Sequence, residues 1–281
     1  MTGFVDAHVH FWDQARLPYP WLAEVPAISG RHTPAELATA AAGDSPDAIV
    51  FVESAVAPIH ARDEVRWVEA MAGGSRVAAI VAQVAVDRGG ETEATLAALG
   101  AHALVRGVRH IVQAHPEPDY ALRPAFVEGV RRVGGRGWTF DLCVAHAQLP
   151  ACVELVRACP ETTFILDHAG KPDIRRGLLE PWRAHLAALA RLPNVVCKLS
   201  GLVTEADPTA WTPGVLRPYV DHLLSCFGPE RLLFGSDWPV VNLAGGYARW
   251  LAAARELLAP LPAAARAAVL SDNARRIYRL S

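Results

Sequence analysis

Lysine is almost absent from this 281-residue chain: of 27 basic residues only Lys171 and Lys198 are lysines, and the other 25 are arginines. A chain so rich in Ala and Arg has the stamp of a GC-rich genome, which draws scrutiny to the two lysines it keeps. Runs of like charge are also lacking. The 27 basic and 29 acidic residues leave a net charge of −2, so there is no electrostatic footprint for nucleic acid or an anionic membrane. No segment reaches the roughly eighteen uninterrupted apolar residues of a membrane span. The opening Met-Thr-Gly-Phe-Val-Asp has neither a basic nor an apolar leader pattern, so the expectation is a cytoplasmic protein. The five cysteines, Cys143, Cys152, Cys159, Cys197 and Cys226, show no Cys-x-x-Cys spacing and read as small core residues of a reducing compartment. These exclusions leave a small molecule as the expected partner.

With 52% hydrophobic and 20% charged residues the chain has the composition of an ordered globular protein. Short β-branched apolar runs recur at Phe4–Val9, Ala48–Val52, Val77–Val84, Val105–Val112, Trp138–Val144, Thr163–Leu166, Val195–Leu199 and Leu232–Gly235. Segments with helical spacing follow each of them, near 33–42, 61–71, 91–99, 123–133, 150–157, 178–191, 217–227 and 247–258. Thr33-Pro34-Ala35-Glu36 sets out a capping hydroxyl, a first-turn proline and a capping-box glutamate in order. Ser271-Asp272-Asn273 opens a last helix ending near Tyr278. Strands apolar on both faces, alternating with helices, predict a parallel sheet. Eight such units predict one (β/α)8 barrel over residues 1–281, and no G-x-G-x-x-G follows the first run to favour a doubly wound sheet. The longest loops, 11–32 and 200–216, both leave a strand's C-terminal end, where barrel enzymes place their sites.

Asp6-Ala7-His8-Val9-His10 is the strongest chemical signal. Residues two apart in a strand face one side, so His8 and His10 are expected to share the barrel mouth. The other strand ends collect Glu53, Arg109, His110, His146, Asp167, His168, Lys171, Lys198 and Asp237. Buried ionisable groups are costly to desolvate, and so many at one rim point to a site. Trp12 and Trp238 offer flat apolar faces beside these strand ends, while Trp21 and Trp211 are read as loop packing.

His-x-His, later histidines and an aspartate after the eighth strand resemble the amidohydrolase superfamily of metal-dependent barrel hydrolases. Gly-Val-Arg-His (107–110), Leu-Asp-His-Ala-Gly-Lys-Pro (166–172), Cys-Lys-Leu-Ser-Gly-Leu (197–202) and Arg-Leu-Leu-Phe-Gly-Ser-Asp-Trp-Pro (231–239) are similar to its sugar-lactonase branch. The resemblance implies hydrolysis of an aldonolactone, with Asp237 as general base and His8, His10 and His168 polarising the carbonyl or holding metal. It implies one divalent metal, zinc by preference, or none; residues 103–116 contain no lysine to bridge two ions. The expected ligands are His8, His10, Asp237 and Glu53, with Glu53 alternatively orienting a histidine. The expected substrate contacts are Arg109, His110, His146, Lys171, Trp12 and Trp238, with a rim ion pair as the other reading of Arg109. A one-zinc decarboxylase and a non-catalytic binding barrel are the alternatives.

Overall fold

The computed structural model describes residues 3–280. Strands β1 Val5–Val9, β2 Ala48–Val52, β3 Val77–Gln83, β4 Val105–Arg109, β5 Thr139–Leu142, β6 Thr163–Leu166, β7 Val195–Leu199 and β8 Leu232–Phe234 form one sheet in chain order. Every laddered pair is parallel. The connections carry helices α1 Pro34–Ala40, α2 Ala61–Ser75, α3 Gly90–Leu99, α4 Pro124–Gly135, α5 Leu149–Ala158, α6 Trp182–Ala190, α7 Pro213–Phe227 and α8 Tyr247–Leu258. This is the expected (β/α)8 architecture. Local chemistry explains where elements start: Thr33 N–H donates to Glu36 Oε2 at 2.8 Å, and Pro34 supplies the first residue of α1.

Two-residue alternation sorts each strand into an inner and an outer face. Val5, Ala7, Ala48, Val50, Val52, Ala79, Val81, Ile165, Val196 and Leu233 fill the barrel, while Ile49, Phe51, Ile80, Phe140, Phe164 and Phe234 pack outward under the helices. Ala274 and Tyr278, from the terminal helix Asn273–Tyr278, close the inner cluster.

Two irregularities place the site. β1 shifts register between Asp6 and Val9, where its pairing steps from Asp6–Ile49 to Val9–Phe51. Such a bulge re-aims side chains. Strict alternation from Val5 and Ala7 would have carried Val9 inward, but Val9 joins the outer cluster and His8 and His10 turn into the mouth. The barrel is also nearly, rather than fully, laddered. β8 and β1 meet through a single parallel bridge between Val9 and Trp238. Asp237 N–H donating to His8 O (2.9 Å) and His10 N–H to Trp238 O (2.7 Å) complete that seam.

The loop after β1 makes a two-stranded ribbon, Trp12–Asp13 against Arg31–His32, around an apolar cluster of Trp12, Tyr19, Leu22 and Ile28 that takes in Val56 from the loop after β2. The loop after β7 holds a short helix, Leu202–Glu205, and buries Trp211, whose Nε1–H donates to Ala244 O at 2.7 Å. Among the described residues no helix is long and apolar enough to cross a membrane.

Candidate active site

Four side chains converge where β1 meets β8. His8 Nε2 lies 3.2 Å from His10 Nε2, and Asp237 Oδ1 lies 3.3 Å from His10 Nε2, 3.8 Å from His8 Nε2 and 3.9 Å from His168 Nε2. All four are buried. The backbone is bent to bring them there. His168 and Asp237 have φ of 52° and 61°, a left-handed conformation that costs a non-glycine residue about 1–3 kcal/mol and tends to persist at functional sites. Close approach does the rest. A Cβ on Gly235 would sit 2.7 Å from His8 Cβ, and one on Gly201 would sit 2.5 Å from the His168 ring.

Beneath the cluster lies a buried charge network. Lys198 Nζ donates to Asp141 Oδ2 at 2.6 Å, stands 2.9 Å from Asp167 Oδ1 and lies 3.1 Å from His8 Nδ1. Arg109 donates through Nε to Glu53 Oε1 (2.6 Å), through Nη2 to the Glu53 carbonyl (2.7 Å) and through Nη1 to Asp167 Oδ2 (3.1 Å). His10 Nδ1–H donates to Val52 O at 2.9 Å, and His168 Nδ1 pairs with Ser200 Oγ at 2.9 Å, so each ring is held by its far nitrogen.

The sequence model of the amidohydrolase family matches residues 5–280. The chain belongs to this family. It is similar to the L-fucono-1,5-lactonase of Burkholderia ambifaria, 34% identical over 100% of this chain and 97% of that protein. The L-fucono-1,5-lactonase of Burkholderia multivorans is 33% identical over 98% of this chain and 96% of its own. A crystal structure of an amidohydrolase from Burkholderia multivorans with bound zinc superposes with a TM-score of 0.90 at 32% identity, covering 100% of both chains.

The donor set of this amidohydrolase fits a divalent cation. Because His10 spends its Nδ1 proton on Val52, its bare Nε2 faces the Asp237 carboxylate at 3.3 Å, two acceptors that need a proton or a cation between them. Glu53, Asp141, Asp167 and Asp237 stand against Arg109 and Lys198, so the ionised network with neutral histidines is short of two positive charges. His8, His168 and Asp237 offer ligand atoms within 4.8 Å of one another, and His10 adjoins them. Burial pushes the His168 pKa down to about 4, against the pull of the Asp237 and Asp167 carboxylates. Burial and the Lys198 ammonium hold His8 well below the usual histidine range. Burial alone would raise Asp237, but the three imidazoles outweigh it and keep its carboxyl well below the ordinary carboxylate range.

Beside the cluster opens a cavity of about 310 Å³ whose wall includes His10, Arg109, His168, Lys171 and Asp237. Several expected contacts lie elsewhere. Glu53 stands outside the group of ligand atoms: its Oε1 is taken by Arg109, and its Oε2 accepts from Ala55 N–H at 2.7 Å. Arg109 does reach the wall, but its guanidinium is committed to Glu53 and Asp167, which is the ion-pair reading. His110 faces away, because alternation at the end of β4 turns it outward once Arg109 points in, and its ring stacks on Phe126 at 5.2 Å. His146 begins the turn after β5 and is absent from the wall. Trp12 packs inside its loop, with Nε1–H donating to Ile28 O at 3.2 Å, and Trp238 packs between Phe11 and His32.

The aromatic face on the wall is instead Trp21, whose Nε1–H donates to Ser54 O at 2.9 Å. Gln113 and Cys143 join it there, and the Cys143 thiol, pushed up to about 11 by burial, stays protonated. Sequence reading gave Trp21 to loop packing and passed over Asp141 and Ser200. Asp141 carries a legible signal, a lone carboxylate in the apolar run Thr139–Leu142; Ser200 and Trp21 carry none.

Proposed function

We propose that this amidohydrolase opens a sugar-acid lactone to the aldonic acid. The convergence of three imidazoles on Asp237 at the cavity wall carries the reading, and the lactonase names of its relatives support it. Asp237, ionised at neutral pH, takes the proton from a water as the water oxygen attacks the lactone carbonyl. A carboxylate of such low basicity is a modest base, so much of the rate must come from polarising that carbonyl, which His168 can do through Nε2–H when Ser200 donates to its Nδ1, while the bare Nε2 of His10 cannot. As the ring C–O bond breaks, Asp237 returns the proton to the departing alkoxide. The product acid then ionises and releases one proton. A divalent ion held by His8, His10, His168 and Asp237 would supply Lewis acidity at the carbonyl.

Trp21 offers a flat apolar face and Gln113, Ser54 and Lys171 offer polar groups, a mixture suited to a small polyhydroxylated ring. The test is proton release from aldonolactones, their epimers and an unsubstituted lactone of equal ring size, with and without chelator. The expected result is a kcat/KM that follows hydroxyl configuration, because a site built to bond a hydroxyl rejects the analogue lacking it. Equal rates across the series, or preference for the bare ring, would remove the sugar assignment.

A further inference from the structure

We propose that Glu205 sets the cavity's charge specificity: by pairing with the Lys171 ammonium it makes the site take ligands whose rim-facing end is uncharged and refuse those bearing a carboxylate there. The inference takes its choice of ligands from the lactonase reading; the charge arrangement stands on geometry.

Arg109 and Lys171 are the wall's two permanent cations among the described residues. Arg109 is spent on Glu53 and Asp167. Lys171, in the loop after β6, places Nζ 3.5 Å from Glu205 Oε1, at the end of the short helix in the loop after β7. Both side chains are about three-quarters buried, at 25% and 28% exposure, so the pair is only partly screened by solvent. The wall's carboxylate is Asp237. A second carboxylate on a ligand would therefore meet a lysine whose charge is already balanced and a repelling aspartate, and would lose its hydration with no unpaired cation to replace it. A hydroxyl meets no such penalty. Glu205 is not itself on this wall; it lines a separate depression with Asp173 and Arg175. Glu205→Gln thus removes the charge and keeps the shape, leaving Lys171 with donors to offer a ligand carboxylate.

The test measures calorimetric Kd at pH 8 for an aldonate and the aldarate of equal carbon number, on the wild type, Glu205→Gln and Glu205→Gln/Lys171→Met. It is paired with kcat/KM for an aldonolactone and a carboxylate-bearing lactone of the same ring. We expect Glu205→Gln to tighten aldarate relative to aldonate by about tenfold, a typical size for a close charge pair, with the lactone preference moving the same way. Adding Lys171→Met should cancel the gain. A generally loosened site would shift both ligands together, so an unmoved aldarate/aldonate ratio in folded Glu205→Gln overturns the proposal. So does a gain that survives loss of Lys171. If the ratio moves but no variant turns over any lactone, the charge role holds and the lactonase reading falls.

Discussion

Asp237 is the residue on which the chemistry turns. Asp237→Asn keeps the acceptor oxygen that faces His10 but removes the base, so turnover should fall by about 10²–10⁴ with the fold intact. Steady-state kinetics beside circular dichroism decide this; near wild-type turnover would take the base role from Asp237. Arg109 makes a different case, since its work is to neutralise. Arg109→Met strands Glu53 as a buried carboxylate and leaves Asp167 to Lys198 alone, and breaking a buried pair in this way typically costs about 3–5 kcal/mol. Urea unfolding should show that loss, and a midpoint near wild type would mean that water relieves the site. His168 ties stability to pH. Its pKa is about 4 in the folded chain against 6.5 in the open one. As pH falls from 6.5 towards 4 the unfolded state takes up a proton that the folded state refuses, so metal-free protein loses up to about 3 kcal/mol from this group across that window. His168→Asn should flatten part of that slope in urea midpoints. At this scale the sequence was most readable where a residue type is expensive to bury. His8, His10, His168 and Asp237 declared themselves, whereas the rim histidines His110 and His146 and the tryptophans did not, because their roles depend on which way each one faces.

The elements were far more legible than the orientations. β-branched runs and helical spacing located β2, β6 and β7 to the residue, because two-faced burial leaves little choice of composition there. Alternation at the end of β4 decided between Arg109 and His110, and the bulge in β1 decided the direction of His8 and His10. Neither follows from residue types. The seam between β1 and β8 shows how an element boundary becomes part of the site. Asp6 Oδ1 accepts from Ser236 N–H at 2.8 Å and from His8 N–H at 3.3 Å, tying the two strand ends together beside the bridge. Burial pushes its pKa up to about 6, so holding it there is itself costly. Asp6→Ala leaves two buried backbone donors unpaired, at about 1–3 kcal/mol each. Because those donors flank His8 and Asp237, activity should fall with stability. A variant that lost neither would show the seam held by its bridge alone.

At the scale of the whole molecule the candidate ligands come from distant parts of the chain: His8 from β1, His10 just after it, His168 after β6 and Asp237 after β8. Any ion they hold cross-links both sides of the least-laddered joint in the barrel, so its binding energy should appear as global stability and not only as activity. Among the described residues one cluster has ligand atoms close enough for an ion, and β4 and the turn after it bring no lysine to bridge a second. Elemental analysis of protein purified without chelator should therefore find at most one divalent ion per chain. An ion that binds only the folded state at a free concentration about a hundred times its Kd stabilises by about 2.7 kcal/mol. For a chain of this size that corresponds to a rise in Tm of about 5 °C. Thermal unfolding of chelated protein, before and after titration with zinc, measures it directly. His10→Ala should reduce the shift by weakening the site, while Glu53→Gln, outside the ligand cluster, should leave the zinc-dependent increment in place even as it lowers the baseline Tm. An equal shift in His10→Ala would remove His10 from the ligand set, and two tightly held ions per chain would contradict the single cluster.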